Sequence, residues 1–233
     1  MQISDRQLAW FGICLGAILG LIPIFRDSNS QVKLACAAAV IALVGAFLIM
    51  AFQGTGPQYK TVSMKKTLEI VTADGSLAHL HREQRIRVRY GHLSEIWCRN
   101  IVADGNLTNL RIDGAYPDAF ENTGCLLSIC KKFGEPLFRG QEVTVIWTYD
   151  LVNSFPASHE ALEHDVTPGM QHLELEVRLP QGRLGRNTTL HKLFAGEPAK
   201  QLPAPSVEKN GRVLRAKQKG LAEGSTIRLS WDW

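Results

Sequence analysis

The sequence predicts an N-terminal hairpin of two transmembrane helices followed by an all-β soluble domain, either a sandwich or a small barrel. Three observations carry this reading: two long uncharged apolar runs, a short polar connection between them, and a change to two-residue alternation beyond residue 66. The first run, Leu8–Phe25, and the second, Leu34–Phe52, contain no charged residue. At a rise of ~1.5 Å per residue, runs of this length cross a hydrocarbon core of ~30 Å. The connection Arg26–Lys33 is too short for anything but an antiparallel turn, so residues 1–53 are assigned to the hairpin. A cleaved signal peptide fits less well, because no small-x-small site separates the first run from the second.

Composition agrees with this division. Met1–Phe52 holds only Arg6, Arg26, Lys33, Asp5 and Asp27 as charged residues, whereas the remainder has an ordinary soluble balance. A net charge of +4 over 233 residues gives no dominating basic field, which argues against a nucleic-acid duplex as partner. Arg6 with Lys60, Lys65 and Lys66 on one side outweighs Arg26 and Lys33 on the other. Both termini, and with them the soluble domain, are therefore expected in the cytoplasm. Cys98, Cys125 and Cys130 lack the even, closely paired spacing of a disulfide framework, which suits a reducing compartment.

Within the first run, Gly12, Gly16 and Gly20 fall on one helical stripe, and Ala38, Ala42 and Ala46 repeat the pattern in the second. Small residues at four-residue spacing let helix backbones approach closely. The stripes serve either packing within one hairpin or assembly of several chains into a homo-oligomer. No ionisable residue lies inside either run, which argues against a proton relay or coupled transport.

Residues 54–66 read as a tether, with Gly54, Gly56 and Pro57 at its start. The β-rich domain then extends over 67–233. Alternation is clearest in Ile86–Tyr90, Glu142–Leu151, Leu173–Leu179 and Thr226–Trp233. Weaker strands are expected at Thr67–Thr72, Glu95–Val102, Leu107–Ile112, Leu126–Cys130 and Arg212–Ala216. Turn signals such as Ala73-Asp74-Gly75, Asp113-Gly114 and Asn210-Gly211 separate them. Trp231 and Trp233 share the apolar face of the last strand, which predicts an edge or closing strand with both rings packed. His159–His164 is expected as polar loop with a short helical option.

No reaction class emerges from the motifs. His159-Glu160 and His164 are five residues apart, not the four that a helical zinc-protease motif needs. His79 and His81 have no Cys or carboxylate at ligand spacing, and Cys125 with Cys130 lacks a second pair. No phosphate loop, nucleophile elbow or dinucleotide fingerprint is present. The chain is expected not to be an enzyme and to need no metal or cofactor. Asn106-Leu107-Thr108 and Asn187-Thr188-Thr189 match a glycosylation pattern that matters only in a lumen. The strongest ligand-binding candidates are Arg85, Arg87 and Arg89, which alternation places on one sheet face, where guanidinium forks suit phosphate oxygens. Trp97 and Arg99, in the following strand, would add a stacking surface for a base. The alternative for the arginine stripe is a solvated outer sheet face paired with Glu83 or Glu95.

The layout of a two-span hairpin, a short tether and a β-rich domain resembles the two-transmembrane, β-strand-rich effectors of bacterial cyclic-oligonucleotide antiphage signalling. The resemblance covers the whole chain as layout and carries no motif, so no residue role is transferred. It implies that the β domain senses a cyclic nucleotide and that the hairpins oligomerise to permeabilise the inner membrane. The partners expected on this reading are the lipid bilayer, further copies of the chain, and a cyclic nucleotide or controlling protein. The competing reading is a constitutive membrane-anchored module that docks a protein or an envelope component.

Overall fold

The computed structural model describes residues 58–101, 105–123 and 126–233. The apolar runs at 8–25 and 34–52, with their glycine and alanine stripes, lie outside the described residues. Among the described residues, no helix is long and apolar enough to cross a membrane.

Every regular element described is a β-strand. In chain order these are β1 (Tyr59–Ile70), β2 (Leu77–Val88), β3 (His92–Ile101), β4 (Asn106–Ile112), β5 (Ala119–Thr123), β6 (Leu126–Phe138) and β7 (Glu142–Val152). They continue as β8 (His159–Asp165), β9 (His172–Arg178), β10 (Arg186–Leu193), β11 (Lys200–Gln201), β12 (Ser206–Glu208), β13 (Val213–Lys219) and β14 (Thr226–Asp232). All nine segments expected as strands are present in whole or part. The strands form open sheets and not a closed barrel: seven strands in the order β12-β13-β9-β1-β2-β7-β4, four in the order β11-β10-β14-β8, and three in the order β3-β6-β5.

Alternation decides the layering. Along β7, Val145, Trp147, Tyr149 and Leu151 are buried on one face, while Thr144 on the other is exposed. That inner face joins buried residues of the two smaller sheets in one cluster. Ile96, Cys98 and Ile129 come from the three-stranded sheet, and Leu162, Leu190, Ile227, Leu229 and Trp231 from the four-stranded one. The outer face of the large sheet is instead ordered by charge. Register sets Lys217, Glu174, Lys65 and Glu83 side by side across β13, β9, β1 and β2. Opposite charges at directly paired positions stabilise the pairing. Beside this row, buried Glu176 is pushed up by desolvation, but hydrogen bonds from Arg178 and Arg215 outweigh that and hold it below the ordinary carboxylate range.

Several expectations are corrected. Tyr59–Lys66 belongs to β1, not to the tether, because Met64 faces the core and these residues pair with Arg82–Val88. His159–His164 is neither loop nor helix; it pairs with β14 residue for residue. The last strand is not at an edge, since β14 lies between β10 and β8. Trp231 is fully buried and packs 6.5 Å from the Phe155 ring, whereas Trp233 is half-buried under Arg183.

Removing Thr226–Trp233 takes out a central strand and its buried tryptophan. A chain ending at Ser225 is expected to lose cooperative thermal unfolding by circular dichroism. A sharp transition near that of the full chain would contradict this placement.

Candidate functional site

The residues nominated from the sequence separate into different surfaces. Arg85 and Arg87 project from the outer face of the large sheet, and both guanidinium groups bind Glu142 of β7. Those hydrogen bonds hold the Glu142 carboxyl below its ordinary range. Arg89 lies past the end of β2; its guanidinium stacks 5.2 Å from the Tyr90 ring. Trp97 and Arg99 stack on each other at 5.1 Å on β3, where Trp97 Nε1 donates to Glu95 at 2.9 Å. Arg85 lines a cleft of about 390 Å3 on the outer face, while Arg99 borders a larger cavity elsewhere.

That larger cavity, about 750 Å3, holds the chemistry that the sequence reading missed. Its floor is the inner face of the large sheet: Lys66 of β1, Leu80 and Arg82 of β2, and Tyr149 and Leu151 of β7. One wall is β8, the last strand of the four-stranded sheet; the other includes Arg99 and Ile101 of β3, the last strand of the three-stranded sheet. Ser154, Phe155 and Thr167 also contribute to its lining. Two sheet edges thus border one gap over a shared floor.

Lys66 and Arg82 occupy directly paired positions on that floor. Two cations side by side on a core-facing row repel each other and lose hydration. Among the described residues neither has a carboxylate partner. Lys66 Nζ donates to the backbone carbonyl of Glu163 at 2.7 Å, on the edge strand. Arg82 donates to Cys98 Sγ and to Gln84 Oε1, both at 3.0 Å. Three carboxylates of β8 also line the cavity: Glu160 accepts from Ala157 N at 2.7 Å, Glu163 pairs with Arg228, and Asp165 accepts from Thr226 Oγ1 at 2.6 Å. Glu163 and Asp165 partly offset the field at Lys66 through space. Arg82 Nε and His164 Nε2 are buried with no hydrogen-bond partner. A buried polar group left unpaired costs about 1–3 kcal/mol.

The titratable groups respond to this field. Desolvation, reinforced by Arg82, lowers the Lys66 ammonium to about 8. Desolvation, then Lys66 and Arg82, press His164 well below the ordinary histidine value and keep the ring neutral. Burial pushes the Tyr149 phenol well up, against a smaller opposing pull from Arg82. Two fixed cations with spare donors, beside Leu80, Leu151, Ile101 and Phe155, suit an anion carrying an apolar or aromatic body. The signal in the sequence was the breach in alternation: Lys66 and Arg82 stand in register with Met64, Leu68, Leu80 and Gln84, all buried.

At the rim, His159 Nδ1 pairs with Asp232 Oδ1 at 2.7 Å, and Asn187 Nδ2 donates to Asp232 Oδ2 at 2.8 Å. Hydrogen bonds from Asn187 and His159 hold Asp232 below its usual range. The same arrangement recurs away from this cavity as His79, Asp150 and Asn109. His159 is exposed while His164 is buried, and residues five apart on a strand face opposite ways. They therefore do not converge on one metal ion. Among the described residues, no group of three or more His, Cys, Asp or Glu side chains is placed to hold one.

No protein-family model matches this chain, and no curated protein matches it in sequence. Solved structures resemble its fold distantly. An M1 zinc metallopeptidase of Deinococcus radiodurans is similar over 74% of this chain and 42% of its own, at 8% identity and a TM-score of 0.42. The chain thus spans about two fifths of that protein's length. The LTA4 hydrolase of yeast is similar over 74% of this chain and 29% of its own, at 10% identity and a TM-score of 0.43. A protein of Legionella pneumophila named for nutrient binding is similar over 74% of this chain and 67% of its own, at 11% identity and a TM-score of 0.46.

The lowered Lys66 value sets a sign for stability against pH. Between about 8 and the usual 10.5 the unfolded chain holds a proton that the folded chain has released, so stability rises with pH across that window. Lys66→Met is expected to flatten this rise in denaturant titrations. A pH profile identical to the wild type would contradict the desolvated environment. His164 acts below its ordinary 6.5, where the unfolded chain gains a proton that the folded ring refuses. Stability should therefore fall with acid there, and less so in His164→Leu.

Proposed function

We propose that this chain is a membrane-anchored receptor and effector of bacterial antiphage defence. The β domain takes an anionic ligand of the cyclic-nucleotide class over Lys66 and Arg82, and the apolar N-terminal hairpins oligomerise to permeabilise the inner membrane. The observation that supports the sensing half is the pair of core-facing cations that, among the described residues, lack a carboxylate partner, with the buried Arg82 Nε–H unpaired. A phosphodiester would supply the missing charge and acceptors, and the apolar lining would receive a base. The reading assigns no catalytic step to the β domain. Arg85, Arg87 and Trp97 would lie outside the ligand site, and Arg99 at its border.

The effector half rests on the sequence. Ligand-driven association of β domains would raise the local concentration of the tethered hairpins, and the glycine and alanine stripes would provide their packing surface. A second reading has its own support. Both strands that border the cavity end a sheet, so an extended polypeptide could pair with β8 there, as a constitutive interaction module would require.

Calorimetric titration of the full chain with a panel of cyclic dinucleotides and trinucleotides separates the two. Saturable binding is expected, weakened about tenfold or more in Arg82→Met, since a hydrogen bond to a charged group is worth about 1.5–3 kcal/mol. No response to any member, or binding indifferent to Lys66→Met and Arg82→Met, would contradict the sensor reading. Gly16→Leu is expected to abolish dye leakage from liposomes while leaving ligand binding intact. Unchanged leakage would remove helix packing as the effector step.

A further inference from the structure

We propose that one end of the large sheet, formed by the β2–β3 and β6–β7 turns, binds anionic lipid headgroups. This rests on the reading of the chain as membrane-anchored and concerns a surface other than the cavity. Backbone hydrogen bonds tie the turns to the point where the chain enters β1. The Gln58 carbonyl accepts from Arg89 N at 2.7 Å and from Tyr90 N at 3.3 Å. Gly140 N donates to Val88 O at 2.9 Å, and Val88 N to Gln141 O at 3.0 Å.

The side chains on this lip have the character of a membrane-interface surface. Phe138 is 60% exposed at the end of β6, and Arg139 beside it is also exposed. Arg89 stacks on Tyr90, and Lys60 pairs in register with Arg87. The carboxylate in register with Arg87 is Glu142, and Arg85 and Arg87 both bind it. A surplus of cations with an exposed aromatic at turn tips fits phosphate headgroups above a leaflet boundary. The far end of the sheet differs, with Asp74 in its β1–β2 turn held at about 2 by hydrogen bonds from Ser76 and Thr72.

The sequence supplies the second argument. Five residues, Gln53–Pro57, separate the second apolar run from Gln58. Fully extended they reach ~17 Å. At the full ~17 Å a leaflet's charge would be largely screened, so headgroups act on Arg89 and Arg139 where the short tether lets the lip come within about one Debye length, ~10 Å at 0.1 M salt.

The test is amide hydrogen exchange on the full chain in nanodiscs of phosphatidylcholine, with and without phosphatidylglycerol. Residues 88–92 and 138–141 are expected to exchange about fivefold more slowly when phosphatidylglycerol is present, with residues 72–77 unchanged. The double variant Arg89→Ser, Arg139→Ser should lose this lipid dependence while its β14 amides stay protected. Equal exchange at the lip in both disc types, with the chain inserted, would overturn the lipid-binding surface and leave the anchor reading standing. A chain that never enters the discs would overturn both.

Discussion

Lys66 and Arg82 are the constraint around which the described structure is arranged. They face inward on adjacent strands, where the rows before and after them are filled by Met64, Gln84, Leu68 and Leu80. Among the described residues no carboxylate pairs with them, and burial strips hydration from both. The cover of the large sheet is divided: β14 and its neighbours pack on one side, β3 and β6 on the other, and the cavity lies between. The edge of β8 is held to this floor by the Lys66 bond to the Glu163 carbonyl. His164, kept neutral by burial and by the two cations, is the group that such a field tolerates next to it.

The rest of the domain supplies the stability against which this arrangement stands. Trp147 and Trp231, both fully buried, join the sheets through one continuous apolar cluster. Burial of side chains this large contributes several kcal/mol each. On the outer face of the large sheet cations meet carboxylates, from Lys217 on Glu174 to Arg85 and Arg87 sharing Glu142. Several outer-face cations thus have carboxylate partners, whereas Lys66 and Arg82 on the inner face have none among the described residues.

The sequence made the fold class legible because two-residue alternation is a direct consequence of a half-buried strand. Val143–Leu151 and Leu173–Leu179 carry it without interruption. Strands were missed where alternation is broken or uninformative. β5 is exposed along most of its length, and β10 is interrupted by Asn187 at positive φ where its register shifts. In β8 only Leu162 among the core-facing residues is aliphatic, so HEALEHD reads as polar. The site was hidden for a related reason. Arg85 and Arg87 obey the alternation and stand out as a stripe, yet a carboxylate on β7 satisfies them. Lys66 and Arg82 violate it, and a lone cation in an apolar register is visible only once the partner strand is known.

A Lys66 kept for a ligand would cost the empty domain stability, and equilibrium denaturation at pH 7 without ligand reads that cost. Lys66→Met keeps the side-chain volume, removes the like charge beside Arg82 and lets an apolar group meet the floor. A higher unfolding free energy for Lys66→Met than for the wild type is the result expected. A loss of about 1 kcal/mol or more would make Lys66 a structural residue and contradict the account.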